Sequence, residues 1–232
     1  MSDTVGFDLP NTQDRLSKDG YAYLNGIPDG FDYPKELARI GPLLPQYAGE
    51  LVRDVKPDPT VDDGVISAYG ISELTPHTEW YEFSSLPPRY VALWCVHPAD
   101  GPGGETTLAD GYRLLDTFAP DERKRMFVDM YDWASRGLAH EGVQHVSRHP
   151  ILQLHSDTLV VRFSTLDLRR NDDLSSRYVT HGVRFFEANH VAIRIERGAI
   201  LIWDNWRMLH ARNTFSDRRR HLQRVLIGAR GA

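Results

Sequence analysis

The chain has 232 residues, 41% of them hydrophobic, and a formal net charge of −5. That length is enough to bury one sizeable core, and the acidic balance argues against a dedicated nucleic-acid binder. No apolar run reaches the roughly 18 residues of a membrane span, and the opening MSDTVGFDLP lacks the basic-then-apolar pattern of a secretory signal.

In chain order, residues 11–18 read as a short helix ending near Asp19-Gly20, and Tyr21 to Leu24 as a first strand. Pro34 opens a second helix that Lys35 to Ile40 continue up to Gly41-Pro42. Val65 to Tyr69 is β-prone, and His77 to Tyr81 reads as extended. Tyr90 to Val96 is an apolar, aromatic and β-branched run between Pro-rich and Gly-rich stretches, as in a buried strand. It holds the single cysteine, Cys95, which excludes an internal disulfide and reads as a buried thiol. Residues 97–104 form a loop. Helices follow near 110–117 and 120–130, the second starting at Pro120 with Asp121 and Glu122 in its first turn.

Residues 131–150 carry three histidines and little periodicity, and read as a loop. Thr158 to Phe163 is a strand, 165–176 a loop and 178–190 a helix. Val191 to Ile195 and Ala199 to Trp203 are strands around a turn at Arg197-Gly198, and Arg219 to Gly228 is the last strand. Many short strands with inserted helices point to a double-sheet β fold, a mixed α+β layer protein being the alternative. No linker divides the chain, so one domain over 1–232, in a cytoplasmic protein, is expected.

Three residues carry the chemistry. In a strand, positions i and i+2 point the same way, so His77 and Glu79 present imidazole and carboxylate together while Thr78 faces away. His210 follows the strand-like run from Leu201 to Leu209 and supplies a third ligand. Two imidazoles and a carboxylate on one face suit Fe(II) and leave positions for a bidentate keto acid and dioxygen. His145 and His149 stand at the spacing of a helical zinc pair, but Gly142 and Pro150 argue against a helix there.

Downstream, strand parity puts Arg220, Leu222 and Arg224 on one face. A buried guanidinium needs an anion, and its planar fork pairs bidentately with a carboxylate. Gly103-Gly-Glu-Thr-Thr107 offers close backbone approach and a hydroxyl donor. No phosphate-cradling glycine loop and no G-x-S-x-G nucleophile elbow occurs.

Taken together, Leu74-Thr-Pro-His77-Thr-Glu79, Leu86-Pro-Pro-Arg-Tyr90, Gly103-Gly-Glu-Thr106, and Ile202-Trp-Asp-Asn205 with His210 and Arg224 resemble the taurine dioxygenase and clavaminate synthase superfamily. Asp19-Gly-Tyr-Ala-Tyr-Leu24 is similar to its opening strand. The resemblance implies a mainly β fold with inserted helices, a double-stranded β-helix or jelly roll. It implies Fe(II) on His77, Glu79 and His210, with 2-oxoglutarate and O2 as co-substrates. It places Arg224 and Thr106 on the distal carboxylate of 2-oxoglutarate and Arg220 nearer the keto-acid end.

The implied reaction couples oxidative decarboxylation, giving succinate and CO2, to hydrogen abstraction from an unactivated carbon. Hydroxylation is the leading outcome, with desaturation or cyclisation as alternatives. The carboxylate at Glu79 argues against the halogenase branch, and the short chain implies an abbreviated substrate lid. Trp80, Tyr81, Trp206 and the histidine-rich segment 140–155 are candidates for the substrate wall. The expected partner is a small amphipathic molecule, a free or carrier-bound amino acid or related natural product. Competing readings are a non-catalytic jelly-roll sensor and a zinc hydrolase.

Overall fold

The computed structural model describes residues 7–28, 30–61, 68–140 and 143–230. Helix α1 (Leu9–Asp19) starts where the Asp8 carboxylate accepts the Asn11 amide, and it stops at Gly20, whose φ of 81° suits glycine. Strand β1 (Tyr21–Leu24), helix α2 (Tyr33–Leu37) and the short strands β2 (Leu43–Leu44) and β3 (Val52–Val55) follow. Next come β4 (Leu74–His77), β5 (Tyr90–His97), β6 (Thr106–Asp110), α3 (Gly111–Leu115) and α4 (Pro120–Val128). Then come β7 (Tyr131–His140), β8 (Val143–His149), β9 (Leu152–His155), β10 (Thr158–Val161) and α5 (Asp173–Asn189). The chain ends with β11 (Val191–Ile193), β12 (Ile200–Asp204), β13 (Met208–Arg212) and β14 (His221–Ile227).

Two antiparallel sheets lie face to face. The larger runs β1-β12-β5-β14-β2, with β3 also on β14; the smaller runs β11-β6-β13-β4. Period-two alternation divides the apolar residues among three layers. Val91, Leu93, Leu201, Trp203, Leu222 and Leu226 meet Leu108 and Met208 between the sheets. Ala92, Ile200, Ile202, Val225 and Ile227 face the opposite way, onto Leu16 and Leu37 of the first two helices. Ala109, Leu209 and Ala211 back onto Leu114, Met126 and Tyr178. The result is a jelly roll decorated by helices on both outer faces.

Four expectations change. Residues 131–150 form the antiparallel ribbon β7–β8 rather than a loop. Trp133 and His149 are buried while His145, Val146 and Arg148 stay exposed, so among the described residues no plain polar–apolar alternation marks the ribbon. Helix α5 begins at Asp173, inside the stretch read as a loop, because Asp172 caps it reciprocally with Ser175. The extended run ends at His77; residues 79–82 form a turn and Trp80 has φ 60°. The run from Leu201 to Leu209 is broken after Asp204, and His210 lies mid-strand in the separate strand β13. The proposed strand at 65–69 falls partly outside the described residues, and Ala68 and Tyr69 are in a turn.

Candidate metal centre

Strands β4 and β13 are antiparallel neighbours in which His77 and His210 are direct partners. Their ring centroids lie 4.1 Å apart, tilted by 45°. Just past the strand, Thr78 is stitched to Phe163: its N–H donates to the Phe163 carbonyl at 2.9 Å, and its hydroxyl accepts the Phe163 N–H at 3.1 Å. The chain then turns and brings Glu79 back beside the two rings. One ligand atom from each of His77, Glu79 and His210 lies within 4.8 Å of the others.

The donor set fits a metal. Desolvation pushes the pKa of both imidazoles below the ordinary histidine value, and for His210 the neighbouring His77 adds to the effect. Both rings are therefore neutral lone-pair donors near pH 7. Nδ1 of His77 stands 2.8 Å from the Thr75 carbonyl. That contact favours the Nδ1–H tautomer and frees Nε2 for a cation. Two neutral imidazoles and one carboxylate on a single face suit ferrous iron.

What holds Glu79 in place is a residue not singled out from the sequence. Asn205, wholly buried, accepts the Glu79 N–H at 2.6 Å and donates to the Glu79 carbonyl at 3.1 Å and to the Pro88 carbonyl at 3.0 Å. Beside it, the Asp204 carboxylate pairs with Arg89 at 2.8 Å, and burial pushes its pKa up to about 6 against the pull of Arg89. The run Leu86-Pro-Pro-Arg and the run Ile202-Trp-Asp-Asn thus clamp each other beneath Glu79. The signal was in the sequence, an Asn at a strand-ending turn, but its partner could not be read there.

The two arginines stand in the reverse of the order read from the sequence. Nη1 of Arg224 lies 3.0 Å from Oε1 of Glu79, at the metal end, and its Nε donates to Gln46 at 2.9 Å. Arg220 is also buried but sits beyond the start of β14, where it donates to the Gly104 carbonyl at 3.2 Å and stacks over Phe215. Thr106, buried on β6, is in register with Arg212, which stacks on the same Phe215 ring. Arg220 precedes β14, whose ladder shifts register between His221 and Leu222, so strand parity does not carry from one arginine to the other; Arg224 is the one that meets Glu79.

A family profile described as taurine catabolism dioxygenase TauD, TfdA family matches residues 8–226. The chain belongs to that family. It is 28% identical over 165 residues to the 3-((Z)-2-isocyanoethenyl)-1H-indole synthase of Fischerella ambigua (strain UTEX 1903), covering 62% of this chain and 60% of the relative. It is 23% identical over 222 residues to the trimethyllysine dioxygenase of Meyerozyma guilliermondii, covering 89% of this chain and 54% of the relative. The chain therefore spans little more than half the length of these relatives. Among solved structures, it superposes with TM-score 0.78 on asparagine oxygenase in complex with Fe(II), 3-hydroxyasparagine and succinate, at 21% identity over 95% of this chain and 77% of that one. The oxygenase OrfP with Fe and alpha-ketoglutaric acid gives TM-score 0.72, at 18% identity over 95% and 80%. These superpositions establish that this TauD-family chain shares their fold.

The expected substrate wall is only partly assembled. Tyr81 stands edge-on to His77, 6.3 Å between centroids, with its hydroxyl on Asp167 at 2.5 Å. Trp80 packs against the inter-sheet core, and its carbonyl accepts from Arg162. Trp206 is a correction. Its indole N–H donates to the Pro87 carbonyl at 3.0 Å, Arg89 lies over its ring and His155 meets its edge. It is a buried anchor for the 86–89 segment, because the strand it was assigned to ends at Asp204.

Proposed function

We propose that the protein is an Fe(II)- and 2-oxoglutarate-dependent dioxygenase that oxidises an unactivated C–H bond of a small substrate, releasing succinate and CO2. Hydroxylation of a free or carrier-bound amino acid, or of a related natural product, is the reading the evidence favours. The observation that carries it is the convergence of His77, Glu79 and His210, with their ligand atoms within 4.8 Å, beside a buried arginine. Relatives described as asparagine oxygenase, as OrfP with hydroxyarginine and as trimethyllysine dioxygenase support the amino-acid class.

Bound iron would supply the activation of dioxygen. The chain's own residues bind and orient. His77 and His210 donate neutral nitrogens, and Glu79 donates an oxygen whose backbone Asn205 holds still. Arg224, already against Glu79, is placed to meet the carboxylate of 2-oxoglutarate nearest the metal. Arg220 and Thr106, farther along the barrel, are placed to take the distal carboxylate, which supplies the anion a buried guanidinium needs. Tyr81 narrows the space beside His77. Exclusion of water around the reacting carbon falls to the same walls. We read residues 1–232 as one domain, since the two sheets share one core.

The test is an anaerobic titration with Fe(II) and 2-oxoglutarate. The wild-type protein develops the visible charge-transfer band of a chelated keto acid. His77→Ala and His210→Ala lose it, and Arg220→Ala weakens 2-oxoglutarate binding by roughly 10- to 100-fold, the range expected for a charged hydrogen bond. A normal band in His210→Ala rejects the ligand set.

A further inference from the structure

The turn that carries Glu79 is strained and held from two sides. Trp80, the next residue, has φ 60°, a left-handed conformation that a bulky side chain rarely adopts and that persists only where the surroundings impose it. Asn205 fixes the near side through the Glu79 N–H and carbonyl. On the far side stands Arg162, which follows β10 and is 1% exposed. Its Nη1 donates to the Phe83 carbonyl at 2.8 Å and to the Trp80 carbonyl at 3.2 Å, and its Nη2 donates to the Ser85 carbonyl at 2.8 Å.

Arg162 has a firm base of its own. Its N–H donates to the Ile151 carbonyl at 3.0 Å, and its carbonyl accepts the hydroxyl of Tyr178, a fully buried residue of α5, at 3.0 Å. The next residue, Phe163, is the one stitched to Thr78 just past β4. The guanidinium is thus fixed relative both to the core and to the strand that bears His77. Burial pulls its pKa down to about 10 against the pull of Glu82, so it stays charged near pH 7. Its planar fork offers donors in a fixed geometry, which suits it to gathering several carbonyls of one segment. Those carbonyls belong to residues that directly follow a metal ligand, and the first of them is the strained residue itself.

We infer that Arg162 is a positioning residue for Glu79: by gathering the carbonyls of Trp80, Phe83 and Ser85 it keeps Trp80 left-handed and the Glu79 carboxylate beside the imidazoles of His77 and His210. Without it these carbonyls lose a charged donor, Trp80 relaxes out of the left-handed region, and the peptide that joins it to Glu79 rotates. The inference rests on the dioxygenase reading above and adds to it a residue that acts on the metal only through Glu79.

Co(II) titration of the metal-free protein, followed by visible absorption, tests this as a double-mutant cycle. Arg162→Met binds Co(II) about 10-fold or more weakly than wild type, the scale of one lost charge-assisted hydrogen bond. Arg162→Lys keeps the charge but not the fork, and its affinity falls by a smaller factor of about 3 or more. In a Glu79→Ala background, itself weaker than wild type, neither substitution lowers Co(II) affinity further, because the ligand through which Arg162 acts is gone. A merely structural arginine would weaken both backgrounds alike. Circular dichroism verifies that each variant is folded, and if the Met variant is not, the Lys variant completes the cycle. Unchanged Co(II) affinity in the folded Arg162 variants, or an equal loss with and without Glu79, overturns the inference. The dioxygenase reading fails separately, by wild-type Co(II) affinity in Glu79→Ala and His210→Ala.

Discussion

Two buried side chains near the centre make the protein's response to pH a balance of opposites. Glu82 binds its proton more tightly folded than unfolded, with a pKa near 7 in place of 4.5. Its charged form is the disfavoured one, so stability falls as pH rises from about 4.5 to about 7. His149 is held neutral, its pKa pushed down to about 4 by burial and then by Arg162. Its ring stacks on Trp133 at 5.1 Å and its Nε2 is buried without a partner. The unfolded chain takes up that proton more readily, so stability falls as pH drops from about 6.5 to about 4. Each shift corresponds to roughly 3 kcal/mol at its full extent. The two windows overlap with opposite slopes, which predicts a flat wild-type profile between about pH 4.5 and 6.5. Denaturant midpoints measured across this range should gain a positive slope in Glu82→Gln and a negative one in His149→Phe. Parallel profiles for all three proteins would refute both assignments.

At the scale of elements, the sheet-to-sheet joints bear on the site. Gly103 has φ 88°, and a Cβ there would stand 1.8 Å from the Thr214 carbonyl oxygen. The Gly104 N–H donates to that same carbonyl, and Gly103 bridges to Phe215. Gly103→Ala is therefore expected to destabilise the fold by about 2 kcal/mol or more, through both left-handed strain and displaced backbone. Because Phe215 carries Arg220 and Arg212, the variant should also bind 2-oxoglutarate less well; urea denaturation with a parallel 2-oxoglutarate titration checks both. The same elements explain what was legible in the residue order. His77, Glu79 and His210 were readable from residue type and spacing, although a turn and not strand parity carries Glu79 to the two imidazoles. The β7–β8 ribbon was not, since its exposed residues mix Val146 with Arg148 and His149 is buried against Trp133, so no clean alternation is left. Strand β2, only two residues long, carries no period at all. Asn205 and Trp206 take their meaning from Pro87, Pro88 and Arg89, which meet them only through tertiary structure.

For the molecule as a whole, helices cover the outer faces of both sheets, while the ligand-bearing residues point between them. Among the described residues no helix is long and apolar enough to cross a membrane. Any ligand that binds only the folded form adds to its stability. Fe(II) with 2-oxoglutarate at about 100 times the dissociation constant should contribute about 2.7 kcal/mol, raising the melting temperature by roughly 5–10 °C for a chain of this size. Anaerobic thermal denaturation measures this directly. His210→Ala should show no such rise, and a rise equal to wild type would mean that the ligands bind elsewhere.

His77 and His210 are opposite rungs of one antiparallel ladder. Their separation is dictated by the spacing of neighbouring strands rather than by any connecting segment. Peripheral turns can thus be exchanged, lengthened or trimmed while the imidazole pair keeps its span. A chassis of that kind lets new selectivities arise around a fixed imidazole pair, and laboratory grafting of foreign segments onto the rim should leave that pair untouched.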